Sequence, residues 1–287
     1  MIRTSSLAVA LGLVAAGAGL AAGLAVARPA ESVPLQPQGA WAVDSAWYDG
    51  LVEKATYDAV KVIYGRPRTY EATFLTNKEQ HDTKTWTKAD GSTSAVEVWK
   101  HNQIEVVPTP NYDYKFVTTT HATVEGLSLT RLDATSQEWC GTAFHQYEKA
   151  EGEGAYDYFA FSYMPEQGRV SATVDDDVAD APLIPFNGLS LYLRGYDFDG
   201  RGDLTFRLLP DQKSNKLVDH DPVDATVTFA GETGDGYQLA LTAGGEEVGT
   251  FEFAKDRQHV MLSYEGVNGD SYQLKDLDRV DYWTRDE

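Results

Sequence analysis

Side-chain character in this chain alternates with a period of two, segment after segment, from residue 70 almost to the end. Strict alternation puts one face of an extended strand in a core and the other in water. Tyr70–Thr76, Val96–Val107, Phe116–Val124 and Leu127–Leu132 read this way. So do Leu204–Leu209, Ala225–Ala230, Tyr237–Thr242, Val248–Ala254, Val260–Tyr264 and Ser271–Leu274. Tyr156–Tyr163 is aromatic on both faces. Turn residues separate the runs: Asp90-Gly91, Asp235-Gly236, Gly244-Gly245 and Asn268-Gly269. Asn-Gly between alternating runs is a strong hairpin signal, because both residues tolerate positive φ. From Tyr237 onward the turns are short, which predicts a meander of adjacent antiparallel strands. Leu51–Ile63 fits either an amphipathic helix or, in its second half, a strand. The expected class is all-β with minor α: one large curved antiparallel sheet forming an open or half-closed barrel.

The first residues predict export. Arg3 is a lone positive charge, Leu7 to Ala27 carries no charge, and Ala25-Val26-Ala27 offers the small residues a signal peptidase reads. Residues 1–27 are therefore expected as a signal peptide and residues 28–46, with Pro29, Pro34, Pro37 and Gly39, as a flexible leader. Residues 47–287 remain as a single β domain, periplasmic or extracellular, with no integral membrane segment after cleavage. A formal net charge of −20 repels phosphates and argues against nucleic acid. One cysteine, Cys140, leaves no internal disulfide to stabilise an exported fold.

Chemistry-bearing constellations are few. Gln137-Glu138-Trp139-Cys140-Gly141 and the following His145 hold a thiol, a carboxylate and an imidazole. On a strand Cys140 and His145 point to opposite faces, so they cannot pair locally. The plain reading is Cys140 and Trp139 buried beside Gly141, where a missing side chain permits a close approach. Asp197, Asp199 and Asp203 around Gly200 resemble a calcium loop but lack the remaining ligands of an EF-hand, so calcium is the one cofactor to test. Asp175-Asp176-Asp177 with Asp180 reads as a solvated loop. The six histidines show no spacing for a zinc site within one segment. Aromatics crowd the middle of the chain, and aromatics on one face of a curved sheet fill a core or line an apolar cleft. The candidate ligand-binding residues are Trp99, Trp139, Cys140, Tyr158 and Arg194, and none is assigned a catalytic role.

With Ala55-Thr56-Tyr57 and Ile63-Tyr64-Gly65 upstream, the Gln-Glu-Trp-Cys-Gly stretch resembles a group of uncharacterised exported bacterial proteins, sometimes labelled septum formation inhibitor Maf. Maf enzymes are cytosolic nucleotide pyrophosphatases with a Ser-Pro-Arg-type motif that this chain lacks, so the resemblance implies no such activity. The second half, from Leu189–Arg194 through the hairpins to Arg279–Trp283, is similar in layout to LolA/LolB-type lipoprotein carriers. That likeness implies a curved sheet with an apolar concave side. The resulting expectation is a non-enzymatic cell-envelope protein that holds an apolar ligand or a partner segment. The alternatives are a hydrolase using Cys140 or dispersed carboxylates, and an interaction domain without a small ligand.

Overall fold

The computed structural model describes residues 33–89, 91, 93–150, 154–176, 181–281 and 283. The proposed signal peptide, Asp90, Asp177 and Asp180 lie outside these residues. Fifteen strands form one sheet among them. The first eight make an up-and-down meander: β1 (Val52–Ile63), β2 (Arg66–Asp82), β3 (Ala95–Val107), β4 (Tyr114–Thr123), β5 (Leu129–Glu138), β6 (Gly141–Lys149), β7 (Ala155–Ser162) and β8 (Gly168–Asp175). A short β9 (Leu183–Pro185) follows. The second meander is β10 (Leu204–Leu209), β11 (Val223–Glu232), β12 (Gly236–Ala243), β13 (Glu246–Ala254), β14 (Met261–Gly266) and β15 (Ser271–Val280). β15 pairs antiparallel with β1 and joins the two meanders. Pairing is antiparallel except at β9–β10, which is parallel.

The sheet is open and strongly curved. Laid flat, β8 and β10 would be separated by roughly 60 Å at ~4.8 Å per strand. Instead Arg207 Nη1 on β10 donates to Asp175 O at the end of β8 over 2.7 Å. Leu183 of β9 and Leu209 of β10 share a buried cluster with Leu129, Leu132, Tyr147 and Tyr158 of β5–β7. The two ends of the sheet thus overlap on the inner face of β5–β7 and do not close by strand pairing.

β1 settles the ambiguous segment as strand along its whole length. Ala55, Tyr57 and Ala59 alternate into the core, and β1 is paired on both sides, by β15 and β2. Sequence reading ends one strand at Leu132, whereas β5 continues to Glu138, because its polar Thr135, Ser136 and Gln137 pair with β4 and β6. Gly244 and Gly245, at φ +58° and +84°, make the turn between β12 and β13 as expected.

The concave side is apolar but filled by the chain itself. Between β9 and β10 runs a helical segment: a 3-10 turn (Phe186–Gly188), one α-helical turn, α1 (Leu189–Tyr192), and a second 3-10 turn (Leu193–Gly195). Leu189, Leu191, Tyr192 and Leu193 are buried in the main core. The expected flexible leader is corrected from Val33 onward. Val33 N donates to Asp203 O, Gln36 N donates to Gly195 O, and Trp41 is buried. Trp41 stacks on Trp99 at 5.1 Å, and Trp47, in a 3-10 turn (Ser45–Tyr48), meets Trp99 edge-on at 4.8 Å. The indoles supply the apolar area that secures the leader, a contribution that proline and glycine content does not disclose.

A candidate binding mouth with an aromatic rim

In an up-and-down meander alternate connections gather at opposite ends. The β1–β2, β3–β4, β5–β6 and β7–β8 connections therefore share one end, and their tips are aromatic or thiol-bearing. Tyr64 of the first is exposed, at 78 %. Its hydroxyl lies 2.6 Å from that of Tyr114, which starts β4. Tyr112 precedes β4 and stacks on Trp139 of the β5–β6 turn, with ring centroids 5.6 Å apart and planes 19° apart. Trp139 is 83 % exposed. The indole thus stands in water while stacked on the half-buried Tyr112 ring.

Cys140 completes this turn and is exposed, which corrects the expectation of a buried packing thiol. Its Sγ lies 3.0 Å from Tyr112 Oη. His145 is far from it in function: it points inward, is buried, and bonds Gln212 Oε1 through Nδ1 at 3.0 Å. The close approach expected at Gly141 does occur. Gly141 has φ +155°, and a Cβ there would meet the Tyr163 ring at 2.5 Å. Tyr163 in turn donates to Glu138 Oε1, and Asn215 Nδ2 donates to the same oxygen over 2.8 Å. The tyrosine proton is held above its ordinary range by burial and by the Glu138 carboxylate.

Behind the rim lies the mouth of the curved sheet. The β10–β11 connection folds into it, and Lys213 reaches the interior. Lys213 Nζ donates to Glu105 Oε1 at 2.7 Å and to Tyr272 Oη at 2.6 Å. Tyr70 Oη donates to Glu105 Oε2 at 2.6 Å. Burial opposes the Lys213 charge, but Glu105 and Asp211 outweigh it and hold the ammonium above its usual range. Glu105 and Lys213 are both buried, so the pair is desolvated and depends on these additional bonds.

The connection divides the mouth in two. On one side a hollow of about 280 Å³ is walled by Val62, Ile63, Tyr64, Phe116 and Met164, with Lys61 and Lys216 among its polar residues. On the other a hollow of about 330 Å³ is walled by Phe186, Leu208, Val248, Tyr264 and Val267. Lys213 lines both. Deeper in, the gap bounded by Phe74, Phe186, Phe251 and Met261 shrinks to about 30 Å³, room for about one water. The inner gap is thus packed, the two hollows at the mouth are of ligand size, and a larger hollow of about 610 Å³ lies away from the mouth beside Val33, Leu35, Gly126 and Leu204.

Of the five sequence-derived ligand candidates, Trp139 and Cys140 fall on the rim. The other three lie in the interior, where Trp99 and Arg194 both contact Trp47 and Tyr158 sits in a separate cluster. Trp99 is enclosed by Trp41 and Trp47. Tyr158 is buried and stacks on His220 at 4.7 Å. Arg194 is buried in an ion pair with Glu53. The acidic turn does not assemble a calcium site. Asp197 Oδ1 accepts the Gly200 amide at 3.0 Å, an Asx-type closure of the turn. Asp197, Asp199 and Asp203 do not converge as ligands; among the described residues the group that does is Glu79, His81 and His121. Tyr64, Tyr112 and Lys213 were not legible as site residues, because loops whose strands pair in an unknown register cannot be brought together from sequence.

The fold and mouth define a barrel-like, mostly antiparallel β protein with an aromatic-rimmed opening. No family model matches the chain and no curated protein matches it. Among solved structures it is similar to a β-barrel-like protein of domain of unknown function DUF1849 from Brucella abortus. The identity is 11 %, the TM-score is 0.47, and the match covers 80 % of this chain and 98 % of that one.

Proposed function

We propose that this is an exported, non-enzymatic envelope protein that captures an apolar ligand bearing an anionic group at its aromatic-rimmed mouth. Export rests on the leader: Arg3, the uncharged stretch Leu7–Ala27 and Ala25-Val26-Ala27. The observation that carries the binding reading is the hollow of about 280 Å³ between Ile63, Tyr64, Phe116 and Met164, with lysines at its edge. Apolar walls with a few placed polar groups are the usual composition of a small-molecule site. Lys213 is neutralised by Glu105 and Lys61 by Asp270, so Lys216 is the lysine left to face the head of a ligand, and it favours an anionic head over a cationic one. Native mass spectrometry of protein purified from its own compartment tests this: the account expects a co-purifying amphiphile of one small mass, and a ligand-free spectrum under gentle conditions contradicts it.

One observation favours a second reading, an interaction domain. Trp139, exposed and stacked on the half-buried Tyr112, offers a flat aromatic platform outside the hollow, of the kind that anchors protein contacts. The hydrolase reading draws no support from Cys140, whose side-chain partner is the Tyr112 hydroxyl and not an imidazole.

A further inference from the structure

We propose that Glu79, His81 and His121 form a binding site for a divalent transition-metal ion of the zinc class on the outer face of the sheet. Glu79 and His81 are two apart on β2 and share its outward face. His121 comes from β4, with β3 between them. Lys100 of β3 pairs with both Asn77 and His121, while Val98 pairs with Glu79, so the register sets His121 one diagonal step from Glu79. Three ligands from two strands thereby meet in space although no single segment carries zinc spacing.

The geometry suits two imidazoles and one carboxylate oxygen. Glu79 Oε1 is 2.7 Å from His81 Nε2 and 3.6 Å from His121 Nε2, and the two rings are 4.5 Å apart. All three ligating atoms lie within 4.8 Å of one another. Tetrahedral zinc with bonds of about 2.0–2.1 Å sets neighbouring ligand atoms about 3.3 Å apart, so shifts of an ångström or so complete the shell. The second Glu79 oxygen, Oε2, faces Lys88 at 3.4 Å and Lys100 at 3.5 Å, which leaves Oε1 as a single-oxygen ligand.

Both imidazoles are more than nine-tenths buried, His81 at 2 % and His121 at 7 % exposure. Neither Nδ1 has a partner within the protein. Ligation through Nε2 puts each neutral ring's proton on Nδ1, where a water would have to serve as its acceptor. The site opens into a hollow of about 280 Å³ bordered by Trp86, Thr119 and Asp133, which leaves room for a water or a fourth ligand. The adjacent ammonium groups disfavour weakly held hard cations. Nitrogen-preferring metals such as Zn²⁺, Co²⁺ and Cu²⁺ are the chemistry selected, and Ca²⁺ and Mg²⁺ are not.

The test uses the untagged full-length mature protein, stripped with a chelator and titrated calorimetrically with ZnCl₂ in excess Mg²⁺. One Zn²⁺ per chain is expected, and Co²⁺ should give the visible absorption of a four- or five-coordinate ion. H81N and H121N should each weaken binding roughly tenfold or more while His259→Asn leaves it unchanged. Lys88→Ala, at an exposed position outside the ligand set, should tighten binding by removing a repelling charge. No stoichiometric Zn²⁺ binding overturns the proposal, and so does binding that persists in a folded H81N/H121N double variant. A Lys88→Ala variant that fails to bind more tightly contradicts the geometry assigned to Glu79.

Discussion

Arg194, in the helical segment that crosses the interior, holds Glu53 of β1 through two hydrogen bonds, Nη2–Oε1 at 2.6 Å and Nη1–Oε2 at 3.1 Å. Both side chains are buried and they lie 141 residues apart in sequence. Such a pair gains little over two well-packed apolar residues, but each partner alone is a buried charge without compensation. Arg194→Met should therefore cost about 3–5 kcal/mol, read from the urea-unfolding midpoint. The double variant Arg194→Met with Glu53→Leu should recover a large part of that loss. Single and double variants of equal stability would show that the pair does not tie the crossing segment to the sheet.

At the rim, Gly141→Ala should destabilise the β5–β6 hairpin by about 1–3 kcal/mol, since its Cβ would collide with the Tyr163 ring in a backbone conformation unsuited to L side chains. The near-ultraviolet dichroism of the Tyr112–Trp139 stack should weaken with it. An unchanged thermal midpoint and spectrum would mean that Tyr163 does not rest on the Gly141 backbone.

Cys140 should alkylate with iodoacetamide in the native protein at close to the rate of the denatured chain, because it is exposed on a turn. Mass spectrometry of native and urea-treated samples compares the two rates. A thiol that labels only after denaturation would place the β5–β6 turn against a partner surface or inside the fold.

Stability should fall on mild acidification. His101 links β2 to α1: its Nδ1 is 2.9 Å from Thr76 Oγ1 and its Nε2 is 2.9 Å from Ser190 Oγ. Burial, with the Arg194 charge, depresses its pKa from 6.5 to about 3. The unfolded chain takes up this proton near pH 6.5 and the folded chain only near 3. Between these values stability decreases as pH falls, by up to about 1.4 kcal/mol per pH unit from this group. Buried His145 is shifted in the same direction and adds to the slope. Urea midpoints at pH 7 and pH 5 should differ, and His101→Gln should reduce the difference. Equal midpoints in the unsubstituted protein would contradict a neutral buried His101.

The strands were legible because alternation survives wherever one face is buried: Leu204–Leu209 matches β10 residue for residue, and β12–β15 form the expected meander. Legibility failed where burial comes from a remote partner. Leu189–Arg194 packs inside the sheet on all sides, so no periodicity marks it, and Trp41 gains its partner, Trp99, from a strand more than fifty residues away. Sites failed for a related reason. Trp139 and Cys140 could be singled out as unusual residues, but their exposure depends on β5 running on to Glu138. Glu79 and His121 could not be joined without the β2–β3–β4 register.

The mouth carries the functional account, and a paired dye titration tests it most directly. The anionic dye 1-anilinonaphthalene-8-sulfonate and the neutral N-phenyl-1-naphthylamine differ mainly in charge. The unsubstituted protein should bind both in a saturable way and the anionic dye more tightly. Ile63→Glu should abolish binding of both, and Lys216→Glu should weaken the anionic dye alone. Absence of saturable binding, or binding unaltered by Ile63→Glu in a folded variant, would contradict a ligand site at the mouth.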